Sequence, residues 1–98
     1  MITQWTTKAV RELTQTLEYW TKRNGTDTYA KKITTAIKIT EKQLCEDPIA
    51  LSFYIEDYDI YRKSLLKGKF YLFYKIDEKE DIIHILRFRS VKQMPLYE

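Results

Sequence analysis

Five cations, Arg62, Lys63, Lys67, Lys69 and Lys75, stand within fourteen residues that hold no acid, and Arg87, Arg89 and Lys92 form a second acid-free group. Between them lies an acidic turn, Asp77-Glu78-Lys79-Glu80-Asp81. The net charge of +3 is unevenly spread: residues 1–59 carry a net −1 and residues 60–98 a net +4. Clustered cations of this kind suit a polyanion, because each phosphate they neutralise releases counterions and adds affinity without regard to sequence. A solvated, lysine-rich strand face would give the same pattern with no ligand.

Other chemistry is sparse. Cys45 is the one thiol and His84 the one imidazole, so neither a disulfide framework nor a tetrahedral zinc site of nitrogen and sulfur ligands can be assembled within the chain. His84 lies between Ile83 and Ile85 and reads as a packed or edge histidine, and Cys45, in the last turn of a helix, reads as a small buried hydrophobe. Glu12, Glu18, Glu41 and Glu46 are expected on solvent faces of helices, with no carboxylate pair among them. Tyr71 and Tyr74, in an aromatic run, fit the core or its rim. Glycine-rich phosphate loops and repeats are lacking, and no basic leader or long apolar run is found, which suggests a soluble, cytoplasmic protein. With 98 residues, 14% of them aromatic, the chain is expected to fold throughout as one domain, 1–98.

The groups must be positioned by a helical half followed by a strand half. From Thr6 to Asn24 the apolar residues Val10, Leu13, Leu17 and Trp20 recur at three and four, which predicts a helix capped by Thr6 or Thr7 and ended by Gly25. Asp27 or Thr28 caps a second helix with Ala30, Ile33, Ile37 and Leu44 on one side, widened by Ala36, up to Asp47-Pro48. So short a connection makes the two helices antiparallel, able to cover one face of a sheet. Ile49 to Tyr58 shows no helical period. Strands are expected at Ile60–Leu66, Phe70–Ile76 and Ile82–Arg89, the first two joined by a tight turn at Lys67-Gly68-Lys69, with Met1–Trp5 a short edge strand. The expected fold is α+β in the order β-α-α-β-β-β, a helical hairpin on one face of a small, mainly antiparallel sheet.

In that order the sequence resembles the RelE/ParE superfamily of toxins from bacterial type II toxin–antitoxin modules. The resemblance spans nearly the whole chain. It rests on a Trp-Thr pair after the first strand, Ala9, Leu13 and Tyr19-Trp20 in the first helix, and Tyr29-Ala30 and Ile33 in the second with Asp-Pro at its end. Tyr61-Arg62, Phe70-Tyr71-Leu72-Phe73-Tyr74, Ile85-Leu86-Arg87-Phe88 and Lys92-Gln93-Met94-Pro95 continue it.

The resemblance implies a growth-arresting toxin, of the plasmid-stabilisation type, held inactive by a cognate antitoxin, with no cofactor, metal or membrane partner. Two activities divide the superfamily. A RelE-like member cuts mRNA on the ribosome, and this is the expected activity; a ParE-like member inhibits DNA gyrase, and a non-toxic interaction module of the same fold is a further alternative. For the nuclease, the resemblance implies catalytic roles for Arg62, Lys92, Tyr97 and Tyr71, and the acid-free charge clusters add Lys63, Lys67, Lys69, Arg87 and Arg89 as expected RNA-binding residues. Two positions depart from the nuclease pattern: Ser64 stands where a lysine is usual, and Tyr71 where an arginine contacts the scissile phosphate. On this reading Arg62, Arg87, Arg89, Lys92 and Tyr97 line one concave surface. A gyrase inhibitor would use apolar anchors instead, for example Phe88, Met94 and Leu96.

Overall fold

A computed structural model describes residues 1–92. The elements are β1 (Ile2–Trp5), α1 (Thr7–Asn24), α2 (Thr28–Glu46), β2 (Phe53–Ile55), a 3-10 turn (Glu56–Tyr58), β3 (Ile60–Leu65), β4 (Phe70–Asp77) and β5 (Ile82–Ser90). The order is thus β-α-α-β-β-β-β. The strands form one sheet in the spatial order β1-β5-β4-β3-β2, antiparallel except where β1 runs parallel to β5. Neither helix is long and apolar enough to cross a membrane.

Local chemistry explains the helix ends. The Thr6 hydroxyl accepts the Ala9 N–H, and Gly25 takes φ 70° to close α1 with its own N–H on the Thr21 carbonyl, a left-handed position that costs glycine little. In α2 the stripe Ala30, Ile33, Ile37, Leu44 is buried as its spacing predicts, and Thr40 joins it by returning its hydroxyl to the Ala36 carbonyl. In α1 the stripe differs from expectation at its first member only: Ala9 is buried while Val10 is exposed. Leu13, Leu17 and Trp20 pack partly buried against the core.

Both helices cover one face of the sheet. β4 supplies Phe70, Leu72, Tyr74 and Ile76 to that face at the strand period of two. β5 supplies Ile83 and Ile85, then Phe88, because a bulge leaves Leu86 as an extra residue between the pairs Phe73↔Arg87 and Tyr74↔Ile85. Without that extra residue in the count, strict alternation would turn Phe88 outward and Arg87 into the core. Lys67 and Gly68, at φ 56° and 79°, form the mirror-image turn that suits strand twist and join β3 to β4.

The strand β2 was not expected from the sequence. It pairs with β3 through Phe53↔Arg62, Tyr54↔Tyr61 and Ile55↔Ile60 and forms one edge of the sheet. Glu41, expected on a solvent face, instead accepts hydrogen bonds from Thr3 and from the Trp5 indole, tying α2 to β1.

Candidate functional site

The sheet face turned away from the helices carries two cross-strand rows. Register places Arg62, Phe73 and Arg87 in one and Ser64, Tyr71 and Arg89 in the next. Residues opposite one another in a ladder project to the same side, so three of the expected cations do share a face. Their charged ends then part. The Arg62 guanidinium lies between two rings, 4.8 Å from the Phe53 centroid and 4.7 Å from that of Tyr71. This sandwich borders a shallow cavity of about 320 Å³ lined also by Leu51, Ser52, Ser64 and Gly68.

Arg87 and Arg89 instead reach around the β5 edge to Glu12 on α1. The Arg87 Nε and Nη2 donate to the two carboxylate oxygens at 2.8 and 2.9 Å, Arg89 donates from Nη1 at 3.3 Å, and the Phe88 backbone N–H donates at 3.2 Å. β1 has ended at Trp5, opposite Ile85, so the strand edge beyond is left for a side chain to satisfy, and Glu12 does so. Burial pushes the Glu12 carboxyl up, but the bonds from Arg87, Phe88 and Arg89 together with the Arg87 charge hold it below its ordinary value. The expectation of a solvent-face Glu12 is therefore corrected. A signal was available: Glu12 stands at i+3 from the buried Ala9, beside Leu13 and one turn before Thr16, and so falls on the packed stripe.

The remaining expected residues divide further. Lys92 shares with Glu12, Tyr19, Trp20, Arg23 and Arg89 a cavity of about 480 Å³ between α1 and the end of β5. Lys67 is exposed in the β3–β4 turn, and Lys69 follows it beside Trp20 and Tyr29. Lys63 is a correction: it pairs with Leu72 on the helix-covered face, is only 6% exposed, and gives its ammonium to the Ala50 carbonyl at 2.9 Å. A cation so placed holds a loop and does not meet a polyanion. Tyr97, Met94 and Leu96 lie outside the described residues. Phe88, named as an apolar anchor, is 1% exposed and stacked on Phe70 in the core, so it is not available to a partner. The single concave basic surface is thus replaced, among the described residues, by an Arg62 sandwich on one cavity and an Arg89–Lys92 group on another.

Two phenols, Tyr54 and Tyr74, are held in their protonated form. Burial raises the Tyr74 hydroxyl against the opposing bond from Ser52, and the hydrogen bond to Asp59 pushes Tyr54 up to about 12. Glu12 moves the other way, down, so these three groups all shift away from neutrality.

Residues 3–95 match the sequence pattern of the family described as ParE toxin of type II toxin-antitoxin system, parDE. No curated protein matches. Among solved structures, the chromosomal ParDE toxin-antitoxin system from P. aeruginosa is similar at a TM-score of 0.75 and 22% identity over 94% of this chain and 97% of that one. The toxin-antitoxin complex RelBE2 from Mycobacterium tuberculosis is similar at 0.65 and 20%, over 91% and 95%. At these identities the structural likeness concerns the fold.

Proposed function

The chain belongs to the ParE toxin family, within the RelE/ParE superfamily of type II toxin–antitoxin modules, and from that premise we propose that it arrests growth as a ParE-like inhibitor of DNA gyrase, acting by binding protein. The observation that carries this reading is the Glu12 carboxylate, which engages both Arg87 and Arg89. A ribonuclease of this fold needs cations to stabilise charge on the scissile phosphate, with an acid and a base to move protons. Here the strand-end arginines share one carboxylate, which cancels one of their two charges and turns both guanidiniums toward α1; Ser64 and Tyr71 replace a lysine and an arginine, and Lys63 faces the helices.

The similar structures are both toxin–antitoxin assemblies, which supports a cognate antitoxin for this chain. Its aromatic and basic cavity between α1 and β5 offers ring faces and positive charge to an acidic, apolar segment that orders on binding. Co-expression of the antitoxin is expected to restore growth.

The test is biochemical. Purified chain is expected to inhibit supercoiling by gyrase and to leave mRNA on purified ribosomes uncut. Cleavage in the decoding site with supercoiling intact would restore the nuclease reading.

A further inference from the structure

The segment from Gln43 to Tyr61 holds five acids, Glu46, Asp47, Glu56, Asp57 and Asp59, and no Lys, Arg or His, on a chain whose net charge is +3. All five are exposed. Among them stand the exposed apolar side chains Ile49, Leu51, Phe53 and Tyr54, with Leu51 at 96% exposure. Apolar residues singly exposed are ordinary, but Leu51 and Phe53 border one cavity, and Tyr54, on the other face of β2, continues the apolar edge.

Two features show that this patch is held in place and not merely left over. Leu51 has φ 55°, a left-handed conformation that a branched side chain adopts only when its surroundings impose it. The surroundings that impose it are buried polar groups. The hydroxyl of the buried Tyr74 bonds with the Pro48 carbonyl and the Ser52 hydroxyl, and the Lys63 ammonium holds the Ala50 carbonyl. A buried lysine and a buried phenol, each costly to desolvate, thus fix the backbone on either side of Leu51. The loop is pre-organised, and rigid presentation of an anchor reduces the ordering entropy lost on association.

We infer that the edge formed by residues 47–59 is the surface with which the toxin grips its target protein, and that it receives a segment carrying Lys or Arg beside apolar side chains. This rests on the reading of a protein-binding toxin. Charge complementarity selects the occupant: the five acids favour a basic segment and repel an acidic one, while Leu51 and Phe53 supply the apolar contacts. Arg62, stacked on Phe53, lines the same cavity as Leu51 and is the cation that a basic segment must pass on its way to the acids.

The test uses the full chain with Leu51→Asp, and separately with Glu56→Lys and Asp57→Lys together. Aspartate tolerates the left-handed conformation better than leucine, so the first variant keeps its fold and its melting temperature does not fall. Growth arrest in cells, read as the expression level needed, is expected to require at least about ten-fold more of either variant. Antitoxin binding, measured with the purified complex, is expected to be unchanged. Undiminished arrest by both variants at unchanged melting temperature overturns the inference. Lost antitoxin binding with arrest intact assigns the edge to the antitoxin and also overturns it, as does a wild-type dimer in sedimentation that Leu51→Asp dissolves. Supercoiling by purified gyrase judges the proposed function separately: if gyrase is unaffected by the wild-type chain, that reading fails, while growth arrest still decides the surface. A wild-type chain that never arrests growth overturns both.

Discussion

Replacing Glu12 by alanine is expected to lower the unfolding free energy by about 2–4 kcal/mol, the largest effect of any charged side chain on α1. The loss falls at the lower part of the range for breaking a buried pair because the Arg87 and Arg89 side chains keep 16% and 19% of their exposure. Three donors lose their acceptor at once: two guanidiniums and the Phe88 N–H on an uncovered strand edge. For a domain of this size, each kcal/mol corresponds to about 4–8 °C in melting temperature, so thermal unfolding reads the change easily. Glu12→Gln keeps the shape and part of the hydrogen bonding, and its loss should be smaller. The pH dependence supplies an independent check. Because the folded-state value of Glu12 lies below the unfolded one, its contribution is fully present above about pH 4.3 and is lost as pH falls through the folded value. The stability gap between wild type and Glu12→Gln is therefore expected to be constant from about pH 6 to 8, where both bounds lie more than one unit above the ordinary carboxylate value, and to narrow below about pH 4. A gap that does not change with pH would mean that the carboxylate charge is not what holds β5 to α1.

How far this arrangement can be read from the sequence depends on what kind of signal each part leaves. The helical hairpin is legible because burial of Ala30, Ile33, Ile37 and Leu44 imposes a 3.6-residue period and Thr6 and Gly25 are chemically suited to their caps. The strands β3, β4 and β5 are legible from aromatic and β-branched density, and the spatial neighbours follow from short turns. β2 leaves no such mark. Phe53, Tyr54 and Ile55 do not alternate apolar with polar, since this short edge strand has little of either face to bury. The bulge at Leu86 is nearly silent too, although a three-residue step from Ile85 to Phe88 inside an otherwise alternating strand is the trace it leaves. That step decides the side on which Arg87 and Arg89 emerge. The site was legible in composition and not in connection: Arg62 and Tyr71 were picked out, and register brings them together, but the partner of Arg87 and Arg89 lies 75 and 77 residues away on a helix. Lys63 shows the same limit. One residue from Arg62, it points to the opposite face, so a charge cluster counted along a strand mixes two surfaces.

Phe88→Ala is expected to cost about 3–5 kcal/mol, which for a domain with a typical stability of 5–15 kcal/mol brings the chain near the threshold of unfolding. The ring is 1% exposed, stacked 5.4 Å from Phe70, and opposite Leu72 in the ladder. Removing it leaves a cavity between β4, β5 and α1 that the sheet cannot close, because both neighbouring strands are fixed by their own hydrogen bonds. The expected result separates two roles that a toxicity assay alone would confuse. A ring that anchors the target would, when truncated, abolish inhibition while the protein melted normally. A core ring lowers the melting temperature, by at least about 12 °C on the scale above, and any loss of toxicity follows the fraction folded. Phe53, 58% exposed at the opposite edge of the sheet, is the matched comparison: Phe53→Ala should change the melting temperature little. If Phe88→Ala instead costs less than about 1 kcal/mol, the ring is not in the core and the bulge does not turn it inward, and with that the placement of Arg87 and Arg89 on the outer face fails as well.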